Sequence, residues 1–138
     1  MATETTIRAA IKAKLDAITE LAFVNDKLDE NITGFPAAIF DLVSEDNIFL
    51  TNKENLKTMV FNIVIYQEIG TLGKDDAKRI LDVTVNKVVD AFDNDFNLGG
   101  EVDWCIPVRG DRGQANTSSG AAYGQELQIS CRFTKLTT

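Results

Sequence analysis

The chain has 138 residues, 44% of them apolar, with 14 basic and 21 acidic side chains and a net charge of −7. That length suits one domain burying about 68% of its unfolded surface, and the ordinary apolar share excludes disorder of the whole. The acidic balance argues against a nucleic-acid reader or a binder of anionic lipid, and the absence of histidine removes the commonest general base, zinc ligand and pH switch.

The beginning, MATETTIRAAIK, lacks an apolar h-region, so no secretory signal is expected. Ile7, Ile11, Leu15, Ile18 and Leu21 then recur at spacings of four, four, three and three. That predicts an amphipathic helix, with Thr3, Thr5 or Thr6 as its cap. FVNDKLDENITG is polar and turn-rich and reads as a loop with a short strand at Phe23 and Val24. Pro36 opens PAAIFDLV, a predicted strand near a sheet edge, where proline is tolerated.

SEDNIFLTNKENL reads as the connection to the strongest strand signal, KTMVFNIVIYQE. Met59, Phe61, Ile63 and Ile65 fall on one face of it, and Val60, Asn62, Val64 and Tyr66 on the other. A strand apolar on both faces is central in its sheet and covered twice. One layer of two helices covers a single face. Val60, Asn62, Val64 and Tyr66 are therefore candidates for coverage by a neighbouring subunit.

GTLGKDD fails as a phosphate loop, because Glu68 stands five before Gly73 and Asp75 follows Lys74. It reads as a turn into a helix that Asp75 or Asp76 starts. Ala77, Leu81, Val85, Val88 and Phe92 form that helix's stripe, widened by Ile80 and Val89. Asn94, Asn97, Gly99 and Gly100 supply stop signals, and VDWCIPV and ELQISCRF close the chain as strands. The expectation is one α+β domain over residues 1–138. It has a mostly antiparallel sheet of about four strands, two helices packed on one face and a long flexible inter-strand loop. No apolar run approaches the ~20 residues that span a bilayer.

The two cysteines are read as free thiols. Alternation places Val102, Trp104, Ile106 and Val108 on an inner face and Cys105 on the outer one, while Cys131 shares the apolar face of Leu127, Ile129 and Phe133. The cysteines then point to opposite sides. Carboxylates cluster at Asp26, Asp29 and Glu30, at Glu45 and Asp46, and at Asp90, Asp93 and Asp95. DAFDNDFNLGGE misplaces the glycine and glutamate that a calcium loop needs. Ser118 and Ser119 have no histidine to activate them, and Cys105 has no basic neighbour in sequence. Arg109-Gly110-Asp111 spells an adhesion triplet without an extracellular context. No catalytic, metal or cofactor site is expected.

The segment Arg109 to Gly124, RGDRGQANTSSGAAYG, contains no large aliphatic residue and sits at the length where structureless loops become functional or disordered. Arg109, Asp111, Arg112, Gln114, Asn116 and Tyr123 are its candidate contact-makers with another subunit. An arm of this kind orders against a partner.

The succession of FPAAIF, MVFNIVIY, ILDVTVNKVVD and GGEVDWCIP, behind an N-terminal helix and before a final strand, resembles the tail terminator (tail completion) family of long-tailed bacteriophages. The likeness spans roughly Ile7 to Phe133. It implies an α+β subunit that forms a homohexameric ring on the tail tube protein, stops tube growth and joins the head-tail connector. The implied location is the head-proximal end of the virion tail, after assembly in the host cytoplasm. DNA is then only passing cargo, and an acidic channel suits it because like charge discourages phosphate contacts. Rival readings are another neck ring, such as a stopper or head-completion adaptor, and a small-ligand module with the long loop as a lid.

Overall fold

A computed structural model describes residues 3–26, 32–49, 54–70, 72–117 and 120–136. Helix α1 (Glu4–Asp16) opens on a capping box in which Thr3 and Thr6 satisfy each other's backbone N–H. Strand β1 (Phe23–Asn25) follows, then β2 (Ala37–Phe49) and β3 (Glu54–Glu68). Helix α2 (Lys74–Asp93) and a short 3-10 turn (Leu98–Gly100) lead into β4 (Trp104–Thr117) and β5 (Gly120–Leu136).

The five strands form one sheet in the order β1-β2-β3-β5-β4. β1 runs parallel to β2, and every other pairing is antiparallel. The doubly apolar strand is indeed central: β3 pairs along its length with β2 on one side and β5 on the other. Ile7, Ile11 and Leu15 of α1 and Ala77, Leu81, Val85, Val88 and Phe92 of α2 join Met59, Phe61, Ile63 and Ile65 in one core. Both helices thus lie on the face predicted for them, and the Phe61 ring meets Phe40 edge-on at 6.5 Å.

Several expectations need correcting. The sheet has five strands rather than about four, because the short strand at Phe23 joins it at one edge. α1 stops at Asp16, and Ile18 and Leu21 fill the core margin from the turns beyond it. Gly73, with φ of 84°, caps α2 in a conformation that suits glycine, and Asp75 and Asp76 lie in the first turn behind it. SEDNIF is strand, not connection. The larger correction concerns Arg109 to Gly124. From Arg112↔Gln125 to Thr117↔Gly120 the segment is a ladder of paired strands, not a loop. Gly113, Ala115, Ala122 and Gly124 lack the bulk to build a core, but backbone hydrogen bonding asks for none.

The phase of β4 is also the reverse of the expectation. Trp104 pairs with Arg132, and the Asp103 N–H donates to the same Arg132 carbonyl, so the chain kinks between Val102 and Trp104. Val102 is buried, yet Ile106 and Val108 are 50% and 53% exposed while Cys105 is in the core. Cys105 and Cys131 consequently share the helix-facing side as register partners, and both are free thiols.

Two ion pairs hold α1 down. Arg8 bridges Glu4 and Asp41 on β2, each at 2.8 Å, with its guanidinium 5.8 Å from the Phe61 ring centre. Lys14 reaches Asp95 at 2.6 Å, beyond the end of α2. The Arg8 hydrogen bond, helped by the Leu42 N–H, holds the Asp41 carboxyl below its ordinary value. Lys14, with the Gly99 N–H, does the same for Asp95.

Phe61→Ala is expected to cost about 3–5 kcal/mol in urea unfolding, whereas Val108→Ala stays within about 0.5 kcal/mol. Because both carboxyls are depressed in the folded chain, their pairs stabilise above about pH 4, and that contribution is lost as the pH falls through the depressed values. Lys14→Met should therefore be less stable than the parent near neutrality, with the difference vanishing in acid; a difference that persists at low pH would refute the assignment.

Candidate functional site

Two surfaces follow from this frame: the β4–β5 hairpin, and the sheet face turned away from the helices. A second bulge sets the hairpin's geometry. Gly110 and Asp111 stand together opposite Glu126, between the pairs Arg109↔Leu127 and Arg112↔Gln125. The bulge leaves Arg109 and Arg112 both facing α2. Arg109 donates to Asn86 Oδ1 at 2.8 Å and Arg112 pairs with Asp82, two partners one helical turn apart. Arg112 Nε also donates to Gln125 Oε1 at 2.8 Å, and the buried Gln125 amide spends its N–H groups on the Gly110 and Glu126 carbonyls.

Of the six contact-makers expected in this segment, these two arginines are therefore engaged within the chain. Tyr123 is a core residue, 7% exposed, with the Lys78 ammonium 5.3 Å from its ring centre. Asp111, Gln114 and Asn116 do stand on the surface. The hairpin is thus clamped to the body through α2. Nothing in that arrangement resembles a lid.

On the sheet's outer face, Tyr66 is roofed by its own chain. Ile32, Phe23 and Phe35 pack over Ala37, Ile39 and Tyr66 in a second, small cluster. The Tyr66 ring lies across Gly124, where a Cβ would stand 3.2 Å from a ring carbon, and burial followed by the Glu126 charge raises its hydroxyl pKa. Val60, Asn62 and Val64 are half-buried, and among the described residues they do not belong to that cluster.

Register rows extend the face sideways. Val60 lies beside Ser130, then Ile106; Asn62 lies beside Gln128, then Val108. The Arg132 guanidinium stacks over Trp104 at 4.8 Å. Asn62 Oδ1 and Arg132 Nε are both buried without a hydrogen-bond partner among the described residues. Sequence reasoning missed Trp104, Ile106, Val108 and Arg132 here. Pro107 was a partial signal: a proline inside a strand marks β4 as an edge, but it does not tell which face of the strand is exposed.

The chemistry of the remaining groups is modest. Burial pushes the Cys105 thiol up to about 11 and the Cys131 thiol up to about 12, the reverse of an activated nucleophile. Among the described residues no group of three or more metal-ligating side chains converges, and no helix is long and apolar enough to cross a membrane. Asp29, Glu30, Ser118 and Ser119 lie outside the described residues. A concavity of about 590 Å³ lies between the helices and is lined by Ala10, Ala13, Ala17 and Ala91, together with Lys14 and Asp95. It offers shape but no convergent polar groups beyond that ion pair. In comparison with known proteins, the chain matches no family model and no curated protein.

Removing the clamp tests how the hairpin is held. Arg112→Met strips Gln125 of a donor and frees Asp82, and is expected to cost about 1–3 kcal/mol. Gln114→Ala, on the same strand, should stay within about 0.5 kcal/mol. Equal urea midpoints for the two variants would overturn this account.

Proposed function

We propose that the chain is a non-enzymatic structural subunit of the phage tail-terminator type. It closes into a homohexameric ring, caps the tail tube, stops its polymerisation and offers the surface on which the head connector docks. One observation carries this reading: the outer sheet face combines exposed Ile106 and Val108 with half-buried Val60 and Val64. A second copy that covers the face supplies the apolar cover. A head-to-tail contact of this kind closes into a ring when its rotation allows. The raised thiol pKa values and the absence of histidine support a role without catalysis. The net charge of −7 suits a channel that DNA traverses without adhering.

Light scattering on a concentrated size-exclusion peak, with negative-stain images of the same fraction, tests the assembly. The expected result is six times the monomer mass and annular particles. Ile106→Glu should yield a folded monomer, judged by an unchanged circular dichroism spectrum. A parent chain that stays monomeric and also fails to bind purified tail tubes would refute the proposal. Rings that bind filled capsids but not tubes would instead assign it to a neighbouring neck adaptor.

A further inference from the structure

Cys105 and Cys131 are register partners in the β4–β5 ladder. The Cys105 N–H donates to the Phe96 carbonyl on the opposite side, away from β5. The two cysteines therefore form a non-hydrogen-bonded pair, in which Cα atoms lie about 4.5 Å apart. That separation falls within the roughly 4.4–6.8 Å that disulfides span. Both side chains belong to the same core cluster on the helix side of the sheet, so their Cβ atoms leave the ladder in the same direction.

We propose that Cys105 and Cys131 are an intramolecular dithiol site that a small-molecule disulfide of the glutathione class oxidises to a cross-strand bond. The site is independent of the ring reading.

Access decides the order of events. Cys105 lies on the edge strand under the 94–102 turn, with its Sγ 3.9 Å from the Asp95 carbonyl. Cys131 sits on β5, between two strands, and is wholly buried. Lifting the turn uncovers Cys105 first. Its thiolate attacks one sulfur of glutathione disulfide, breaking that S–S bond and releasing one glutathione thiolate. The Cys131 thiolate then attacks the Cys105 sulfur, forming the protein disulfide and expelling the second glutathione thiolate. The two protons lost by the protein end on the two glutathione thiols, and the protein gives up two electrons. At rest, burial holds both thiols far from ionisation, so opening of the turn limits the rate and mild urea should accelerate the reaction. The product ties the exposed edge strand to its neighbour beside Trp104 and Ile106, which fixes the uncovered half of the outer face.

Reduced full-length protein would be incubated natively with glutathione disulfide, quenched by alkylation, and read by intact mass and peptide mapping. The expected product has lost two hydrogens, takes no alkyl group and yields one linked pair of peptides containing Cys105 and Cys131. Its melting temperature should rise by roughly 10 °C. Cys131→Ser should instead accumulate a stable glutathione adduct on Cys105, more slowly formed on Cys131 in Cys105→Ser. The proposal is overturned if the native chain keeps two alkylatable thiols under a redox poise that oxidises the denatured chain. A stable glutathione adduct on the parent, or only chain-to-chain disulfides, would overturn it equally.

Discussion

The structure depends on one strand that hydrogen-bonds on both sides and is apolar on both faces. β3 pairs with β2 and β5 over almost its whole length, so its backbone groups are satisfied within the sheet. Its odd-numbered residues from Met59 to Ile65 lie in the core cluster with both helices, beside Leu127, Ile129 and Phe133 of β5. The even-numbered residues cannot be polar throughout without weakening a central strand, and cannot be apolar throughout without a cover. Val60, Asn62, Val64 and Tyr66 are the compromise. Among the described residues the chain resolves that tension at one end, where Phe23, Ile32 and Phe35 roof Tyr66.

The hairpin shows a second economy. Its small residues, Ala122 apart, bury little, so its order comes mostly from the ladder and from two arginines aimed at one helical turn of α2. An exposed ion pair contributes little by itself. Arg112 matters because it also completes a buried amide, and an unmet buried acceptor costs more than a surface charge pair contributes. The bulge at Gly110 and Asp111 is what makes both arginines face α2; without that extra residue the alternation of side chains would turn one of them outward.

Much of the fold was legible because it rests on periodicity. Ile7, Ile11 and Leu15 announce α1, the Ala77 to Phe92 stripe announces α2, and the two faces of β3 announce a centre. What was hidden rests on single residues that reset a phase. The kink at Asp103 inverts β4, exchanging Cys105 with Ile106 between core and surface. Alternation carries no mark of such a bulge. The hairpin was hidden for a different reason, since a count of apolar side chains cannot see a ladder held by backbone groups. Of the candidate site, Val60, Asn62 and Val64 were legible as the outer face of a central strand. Trp104 was not, because the same kink at Asp103 turns it outward, where it meets Arg132.

The two halves of the outer face are unlike, and that bears on how copies would meet. At the β1 side the face is roofed by its own chain; at the β4 side, among the described residues, it is bare and ends on a strand edge. Pro107 and the bulge interrupt that edge as a template for another strand, which disfavours growth of the sheet by edge pairing. Contact through the bare face itself remains. If copies meet there as proposed, a two-fold dimer would press bare half on bare half and bring one Arg132 guanidinium towards another, at a cost in like-charge repulsion. A head-to-tail contact would set a different surface of the neighbour against Arg132 and avoid that cost. The proposed ring is consistent with this, because head-to-tail contacts are the ones that close into rings.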